Sequence, residues 1–212
     1  IMLLHIMTLK TYVKQLLSRD IGIDLGTKNT VVFVKHRGIV LQEPSVVAID
    51  QETKRSLASG MDAYKMIGKT PANIVAIRPL KEGVITNFNA AESMIKTYIR
   101  KVKQYIGFRK PRILLGIPWG ITSVEKKAVL EASKEAGAGE TLLIEEPIAA
   151  AIGSNLPIHR PIGNMIIDIG GGTTEVAVIS LSDIVDCHSI RVAGDKFDES
   201  IISYCRKQYQ VL

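Results

Sequence analysis

Strand–helix alternation along the second half of the chain predicts an α/β protein with helices packed on a sheet. Two further observations support that class. β-branched runs punctuated by turn residues fill the stretch after Arg19, and a strand–glycine turn–strand motif occurs twice, far apart in the chain. The 212 residues suffice for one large domain or two small ones. Hydrophobic residues at 46% and charged residues at 23% are ordinary for a soluble globular protein, and aromatics at 5% leave the core to aliphatic packing.

The elements follow in order. Ile1 to Met7 is apolar but too short to span a bilayer, and it lacks the small-residue cleavage site of a secretory signal. Leu9, Tyr12, Val13, Leu16 and Leu17 then recur at helical spacing with Lys10, Lys14 and Arg19 between them. That pattern suits a helix lying on a membrane surface or one docked on its own protein. Ile21–Leu25, Thr30–Lys35 and Ile39–Leu41 read as strands. Asp50 to Asn73 is looser and polar, a small subdomain or an elaborated loop. Asn89 and Glu92 resemble a capping pair for a helix with Met94, Ile95, Tyr98, Ile99, Val102 and Tyr105 on its apolar side, ending near Gly107.

Ile113–Ile117 is a short buried strand broken by Pro118-Trp119-Gly120. Thr122 and Glu125 form a capping box for a helix running to Gly137. Thr141–Ile144 is a strand, and Pro147 fits the first turn of the next helix. A connector from Gly153 to Gly163 leads to three strands, Met165–Ile169, Thr174–Ser180 and Ile184–Ile190. The last helix begins near Asp195 and is expected to bury Phe197, Ile201, Tyr204 and Cys205.

The net charge of +6 points to an acidic partner. Much of it lies in Lys96, Arg100, Lys101, Lys103, Arg109, Lys110 and Arg112, either a solvated face or a contact for an anionic surface. No zinc-finger spacing or aromatic RNA-binding motif accompanies these residues, which argues against nucleic acid. Cys187 and Cys205 have no metal-ligand spacing and read as reduced thiols.

The chemistry sits in the repeated motif. Ile23-Asp24-Leu25-Gly26-Thr27-Lys28-Asn29-Thr30 and Ile167-Asp168-Ile169-Gly170-Gly171-Gly172-Thr173-Thr174 each place an Asp at the end of a strand, before a glycine turn with hydroxyls. Glycines let backbone N–H groups approach phosphate oxygens, and Thr27, Asn29 and Thr173 add side-chain donors. An Asp there serves best by holding a hydrated Mg²⁺ that bridges to the phosphates. One copy alone is equally a tight hairpin, but two facing copies would clamp a polyphosphate. No G-x-x-x-x-G-K-[ST] string exists, and Gly170-Gly171-Gly172 leads into a strand rather than a helix, so neither a P-loop nor a dinucleotide fold fits. Glu145-Glu146-Pro147 opens a helix, where a carboxylate either orients a water for attack on phosphate or simply caps.

These motifs, with Glu146-Pro147, resemble the actin, heat-shock-chaperone and sugar-kinase superfamily. Gly38-Ile39-Val40, Glu43 through Ala48, Met66 through Pro71, Ile77-Arg78-Pro79, Asp168 through Ser180 and Val192 through Asp195 narrow the resemblance to the bacterial actin-like MreB family, from about Asp20 onward. The resemblance implies an actin-like ATPase fold with the first lobe complete or nearly so and the second truncated. Its divisions would be an N-terminal amphipathic segment at 1–19, first-lobe core at 20–47 and 81–160, and a small subdomain at 48–80. The second lobe would start at 161–196, with a further partial subdomain at 197–212.

By the same resemblance the cofactors are ATP and Mg²⁺. Gly26, Thr27, Lys28 and Asn29, with Gly170, Gly171, Gly172 and Thr173, match positions around the phosphates. Asp24 and Asp168 match the carboxylates around the metal. Glu146 matches the acid that orients the attacking water, with Thr173 its helper and Glu145 a neighbour. Family members polymerise on the inner face of the cytoplasmic membrane and guide cell-wall synthesis. The first 19 residues, with Ile106 and Phe108 beside Lys103, Arg109 and Lys110, stand where the family meets lipid. Departures from the pattern are Lys28 for the usual alanine, Trp119 for a small residue, and the early end of the match. Two other functions stay open: a non-hydrolysing fragment that binds membrane or filament, and a small-molecule kinase. The latter lacks its substrate insertion and catalytic Asp.

Overall fold

The computed structural model describes residues 20–81, 84–106 and 110–211. The expected segment 1–19 and Phe108 lie outside the described residues. A five-stranded mixed sheet forms the first layer, in the order β10-β9-β1-β2-β3. Its strands are β1 (Asp20–Leu25), β2 (Asn29–Val34), β3 (Gly38–Pro44), β9 (Arg112–Ile117) and β10 (Glu140–Glu145). β1 pairs antiparallel with β2, as the motif requires, and parallel with β9. A second sheet, β11 (Asn164–Ile169), β12 (Thr174–Ser180) and β13 (Asp183–Ile190), is antiparallel throughout.

The first sheet is held by its alternation. Ile21, Ile23, Leu25, Val32 and Val34 point to one face, where they pack with Met94, Ile95, Tyr98, Ile99 and Val102 of α2 (Phe88–Ile106). The expected cap of this helix is wrong by two residues. Asn87, not Asn89, supplies the side-chain oxygen that accepts the Ala90 N–H at 3.0 Å, and its carbonyl accepts Ala91. The end of the stripe is also corrected. Steps of four, three and four residues from Ile95 through Ile99 and Val102 reach Ile106, which is 7% exposed, whereas Tyr105 is 41% exposed. Ile106 therefore belongs to the core and cannot also enter lipid. Two members of the basic cluster are likewise engaged: Lys101 with Glu43 at 2.6 Å and Arg112 with Asp20 at 2.7 Å.

The polar stretch after Asp50 contains order that its composition hides. β5 (Ser56–Ser59) pairs with β4 (Val47–Asp50), which also pairs with β6 (Ile74–Ile77), and α1 (Met61–Tyr64) packs beside them. β7 (Leu80–Lys81) and β8 (Val84–Ile85) make a small hairpin. The capping box is as expected: Thr122 accepts the Glu125 N–H, and Glu125 accepts the Thr122 N–H at 2.7 Å. It opens α3 (Ser123–Glu135), and Gly137 with φ +105° turns the chain out of it.

α4 (Glu146–Gly153) joins the layers, leaving β10 and packing Ala151 with Ala177 and Ile179 of β12. α5 (Gly194–Tyr209) departs from expectation. Phe197, Ile201 and Tyr204 are 46%, 61% and 59% exposed, and no residue of the helix is buried. The stripe exists, but no element among the described residues packs on it. No described helix is long and apolar enough to cross a membrane.

The contrast between the two apolar stripes is measurable. Ile95→Ala should cost about 2–5 kcal/mol in urea unfolding, and Ile201→Ala no more than about 0.5 kcal/mol. Equal effects would contradict this assignment of core and surface.

Candidate functional site

Each motif folds into a hairpin whose turn is braced from behind. At the first, a Cβ on Gly26 would fall 2.7 Å from the Asn29 carbonyl oxygen, so only glycine fits this turn. Ser45, fully buried, donates its hydroxyl to the Gly26 carbonyl at 2.6 Å and its N–H to the Lys28 carbonyl at 3.0 Å. Thr30, also buried, pairs with the Ser45 hydroxyl at 2.9 Å. Sequence reading missed Ser45, because a serine after a strand carries no signal of the turn it supports. At the second hairpin, Gly170 N–H donates to Thr173 at 2.9 Å and closes the turn.

The two turns meet. A Cβ on Gly171 would stand 2.6 Å from Lys28 Cβ, so the stem of one turn lies against the bare backbone of the other. Between and beneath them is a cavity of about 670 Å³. Every expected site residue lines it: Asp24, Gly26, Thr27, Lys28, Asn29, Glu146, Asp168, Gly170, Gly171, Gly172 and Thr173. Its lining also includes the apolar Phe33, Leu114, Ile144, Ala149 and Ala150. Phe33 and Leu114 alternate with core residues and therefore face the other side of the sheet, 47% and 42% exposed.

Glu146 stands at the first turn of α4. Gly116 on β9 leaves room for it, since a Cβ there would lie 3.6 Å from Glu146 Cγ. A glycine inside a buried strand was the available signal of such an approach. Glu145 instead faces Lys126 at 3.5 Å, so the two neighbouring acids diverge. Glu175 on β12 is a further buried acid that motif reading passed over, and it accepts the Trp119 N–H at 2.9 Å.

The carboxyls lie in one another's field. Burial, then Asp24, Glu175 and Asp168, push Glu146 up to about 8. Burial and Asp168 raise Asp24, and burial raises Asp168. Balancing cations stand only at the rim. Lys28 pairs with Asp195 at 3.1 Å and Asp198 at 2.5 Å, and Arg78 reaches Asp195 at 3.1 Å. Lys28 thus neither points to open solvent nor hangs free over the cavity; it ties the first turn to the start of α5. Asp24, raised by burial and then by Asp168, and Asp168, raised by burial, fit a cation held by one or two carboxylates, waters and a polyphosphate. No described cluster of His, Cys, Asp or Glu would cage a metal by itself.

The raised carboxyl of Glu146 has a thermodynamic consequence. In the metal-free chain the folded state keeps this proton up to about pH 8, whereas an ordinary Glu releases it near 4.5. The folded state binds more protons across that window, so stability falls as pH rises through it. Melting temperature measured in chelator should decline from pH 5 to pH 8, and Glu146→Gln should flatten the decline. An unchanged slope in the variant would contradict the burial of this acid.

With the geometry in place, comparison with known proteins is direct. The family model described as MreB/Mbl protein matches residues 18–212. The cell shape-determining protein Mbl of Bacillus cereus is 54% identical over 195 residues, covering 92% of this chain and 59% of that protein. The cell shape-determining protein MreB of Escherichia coli is 52% identical over 197 residues, 91% of this chain and 57% of that one. The crystal structure of MreB5 of Spiroplasma citri bound to ADP superposes with a TM-score of 0.81 at 40% identity, over 91% of this chain and 57% of that chain. The MamK double helical filament shares the fold at a TM-score of 0.73 and 22% identity, over 90% and 59% of the two chains. The chain thus has the actin-like α/β fold and spans a little under three fifths of these relatives' length. A match over nearly all of its residues, with identity above one half to curated relatives, means that this chain belongs to the MreB/Mbl family.

Proposed function

We propose that the chain is the nucleotide-binding part of an ATP-dependent, actin-like filament protein that organises cell-wall synthesis and maintains rod shape. The observation that carries this reading is the meeting of the two Asp–Gly hairpins over one cavity lined by all the expected site residues. Relatives named for cell-shape determination, MreB5 bound to ADP or AMPPNP, and the MamK filament support it.

In this reading Gly26, Thr27 and Asn29 hold the phosphates from one side, and Gly170 to Thr173 hold them from the other. Lys28, already among carboxylates at the rim, exchanges one anionic partner for another when phosphate arrives. Asp24 and Asp168 would hold a Mg²⁺, which would supply positive charge to the phosphate oxygens. A cation at these two acids would offset two of the like charges that raise Glu146, leaving burial and Glu175 to hold it up. Glu146 then takes a proton from water as the water oxygen bonds to the γ-phosphorus and the bond to the β–γ bridging oxygen breaks. Thr173 orients that water.

The protein is placed in the cytoplasm, peripheral to the inner face of the cytoplasmic membrane, with self-assembly and the cell-wall synthesis machinery as partners. Contact with lipid rests on the first 19 residues and Phe108, beside the exposed Lys103; Ile106 drops out because it is core. The boundaries at 48–80 and 161–196 are proposed as those of the family's subdomains. One observation favours the non-hydrolysing alternative. The apolar end of the cavity is open along Phe33 and Leu114, so a nucleoside would find only one wall there.

The test is phosphate release and pelleting with Mg-ATP, with and without anionic vesicles. The hydrolytic reading expects release by the chain, and Glu146→Ala should lower its rate by roughly 10²–10⁴-fold while binding changes little. Vesicle binding without polymer or release would favour the binding-fragment alternative.

A further inference from the structure

Glu175 is an acid on a strand face whose next two inward positions are apolar. It lies on the inward face of β12 with Ala177 and Ile179, and is 2% exposed. Asp, Glu and Lys are rarely buried to this degree unless paired, yet no cation among the described residues pairs with Glu175. Its Oε1 accepts the Trp119 N–H at 2.9 Å, and its Oε2 is buried without a hydrogen bond among the described residues. The Ser189 hydroxyl, across from it on β13, is near enough to favour the ionised form without bonding Oε2. The charged groups that face it are Asp168, its register partner on β11, and Glu146 from α4. A buried acceptor left unpaired is costly and calls for an explanation in use.

The connection it makes is between layers. Trp119 follows Pro118 in the turn that ends β9 of the first sheet, and Pro118 lines the cavity. Glu175 belongs to the second sheet and sits directly opposite Asp168 in the ladder. One side chain therefore ties the backbone of the first layer to the strand that answers Asp168. We propose that Glu175 is a positioning residue for the hydrolytic site: it clamps the Pro118–Trp119–Gly120 turn to β12, fixing the first layer against the second phosphate turn around Glu146. This rests on the nucleotide-hydrolysis reading above. Displacement of β11–β12 by a ligand at Asp168 reaches Trp119 through this bond.

Trp119 is the only tryptophan in the chain, so its emission reports the clamp without labelling. The experiment compares wild type, Glu175→Ala and Glu175→Gln of the 212-residue chain. Three readouts are taken: hydrogen exchange of the Trp119 amide, the emission change on adding Mg-ATP, and phosphate release beside nucleotide affinity. In Glu175→Ala the Trp119 amide should exchange about tenfold faster or more, and its emission should stop responding to Mg-ATP. Release should fall about tenfold, with affinity within about threefold of wild type. Glu175→Gln keeps an acceptor for the N–H and should recover most of all three. The proposal is overturned if Glu175→Ala keeps amide protection and the emission response. It is also overturned if affinity, rate and melting temperature fall together, or if Glu175→Gln fails as badly as Ala while folded. A wild-type chain that binds Mg-ATP without releasing phosphate would overturn the hydrolysis reading instead, and the emission response would still decide the clamp. A wild-type chain that does not bind would overturn the functional reading, with amide exchange still deciding whether Glu175 holds the turn.

Discussion

The two glycine turns can approach only because one of them has no side chain at the point of contact. Lys28 Cβ would lie 2.6 Å from any Cβ on Gly171, and that neighbour is near its backbone, where it cannot swing away like the tip of a long side chain. Everything else in the molecule serves to keep this approach in register. Ser45 pins the first turn through both its hydroxyl and its N–H. The second is held to α5 by Gly194 and Asp195 N–H groups donating to Gly170 and Gly171 at 3.1 and 2.9 Å. Behind the first sheet, the α2 core fixes β1 and β2, so the position of Asp24 follows from aliphatic packing several residues away.

That approach concentrates negative charge. Asp24, Glu146, Asp168 and Glu175 are all raised, and burial is the leading cause for each. Four such groups close together in a partly buried cleft are the pattern of a functional site rather than of a core that serves stability alone. The cations Lys28 and Arg78 stay at the exposed edge, where their pairs add little to stability because water screens them. Their value lies in placement: they bridge from the first turn and the end of β6 to Asp195, at the start of α5.

Much of this was legible in the sequence, for identifiable reasons. The hairpins announced themselves because glycine turns and strand-end acids are local features, and their duplication made a shared site the economical reading. The helix stripe from Met94 to Val102 was legible because its period is local too. The failures came from partners distant in sequence. Asn87 and Asn89 differ as caps only through where the helix axis meets the sheet. Ile106 and Tyr105 differ only in helix phase. The stripe on α5 says that a face is apolar, but not that something covers it. Ser45 and Glu175 act across gaps in sequence that no local pattern spans, whereas Gly116 carried a local signal, a glycine inside a buried strand.

The cavity's polarity gradient settles the orientation of any ligand that uses it fully. Around the two turns backbone N–H groups, hydroxyls and acids converge; Phe33 and Leu114, both opposite Gly22 in the ladder, offer no partner for a charge. A ligand placed the wrong way round would bury its charge unpaired, a cost of several kcal/mol that no apolar contact offsets. A ligand with charge at one end and an apolar surface at the other suits this lining. α4 runs along it, carrying Glu146 at its charged end and Ala149 and Ala150 beside its apolar one. One short helix thus sets the distance between the reacting group and the handle by which the ligand is held, which is why the joint between the two sheets is also the centre of the site.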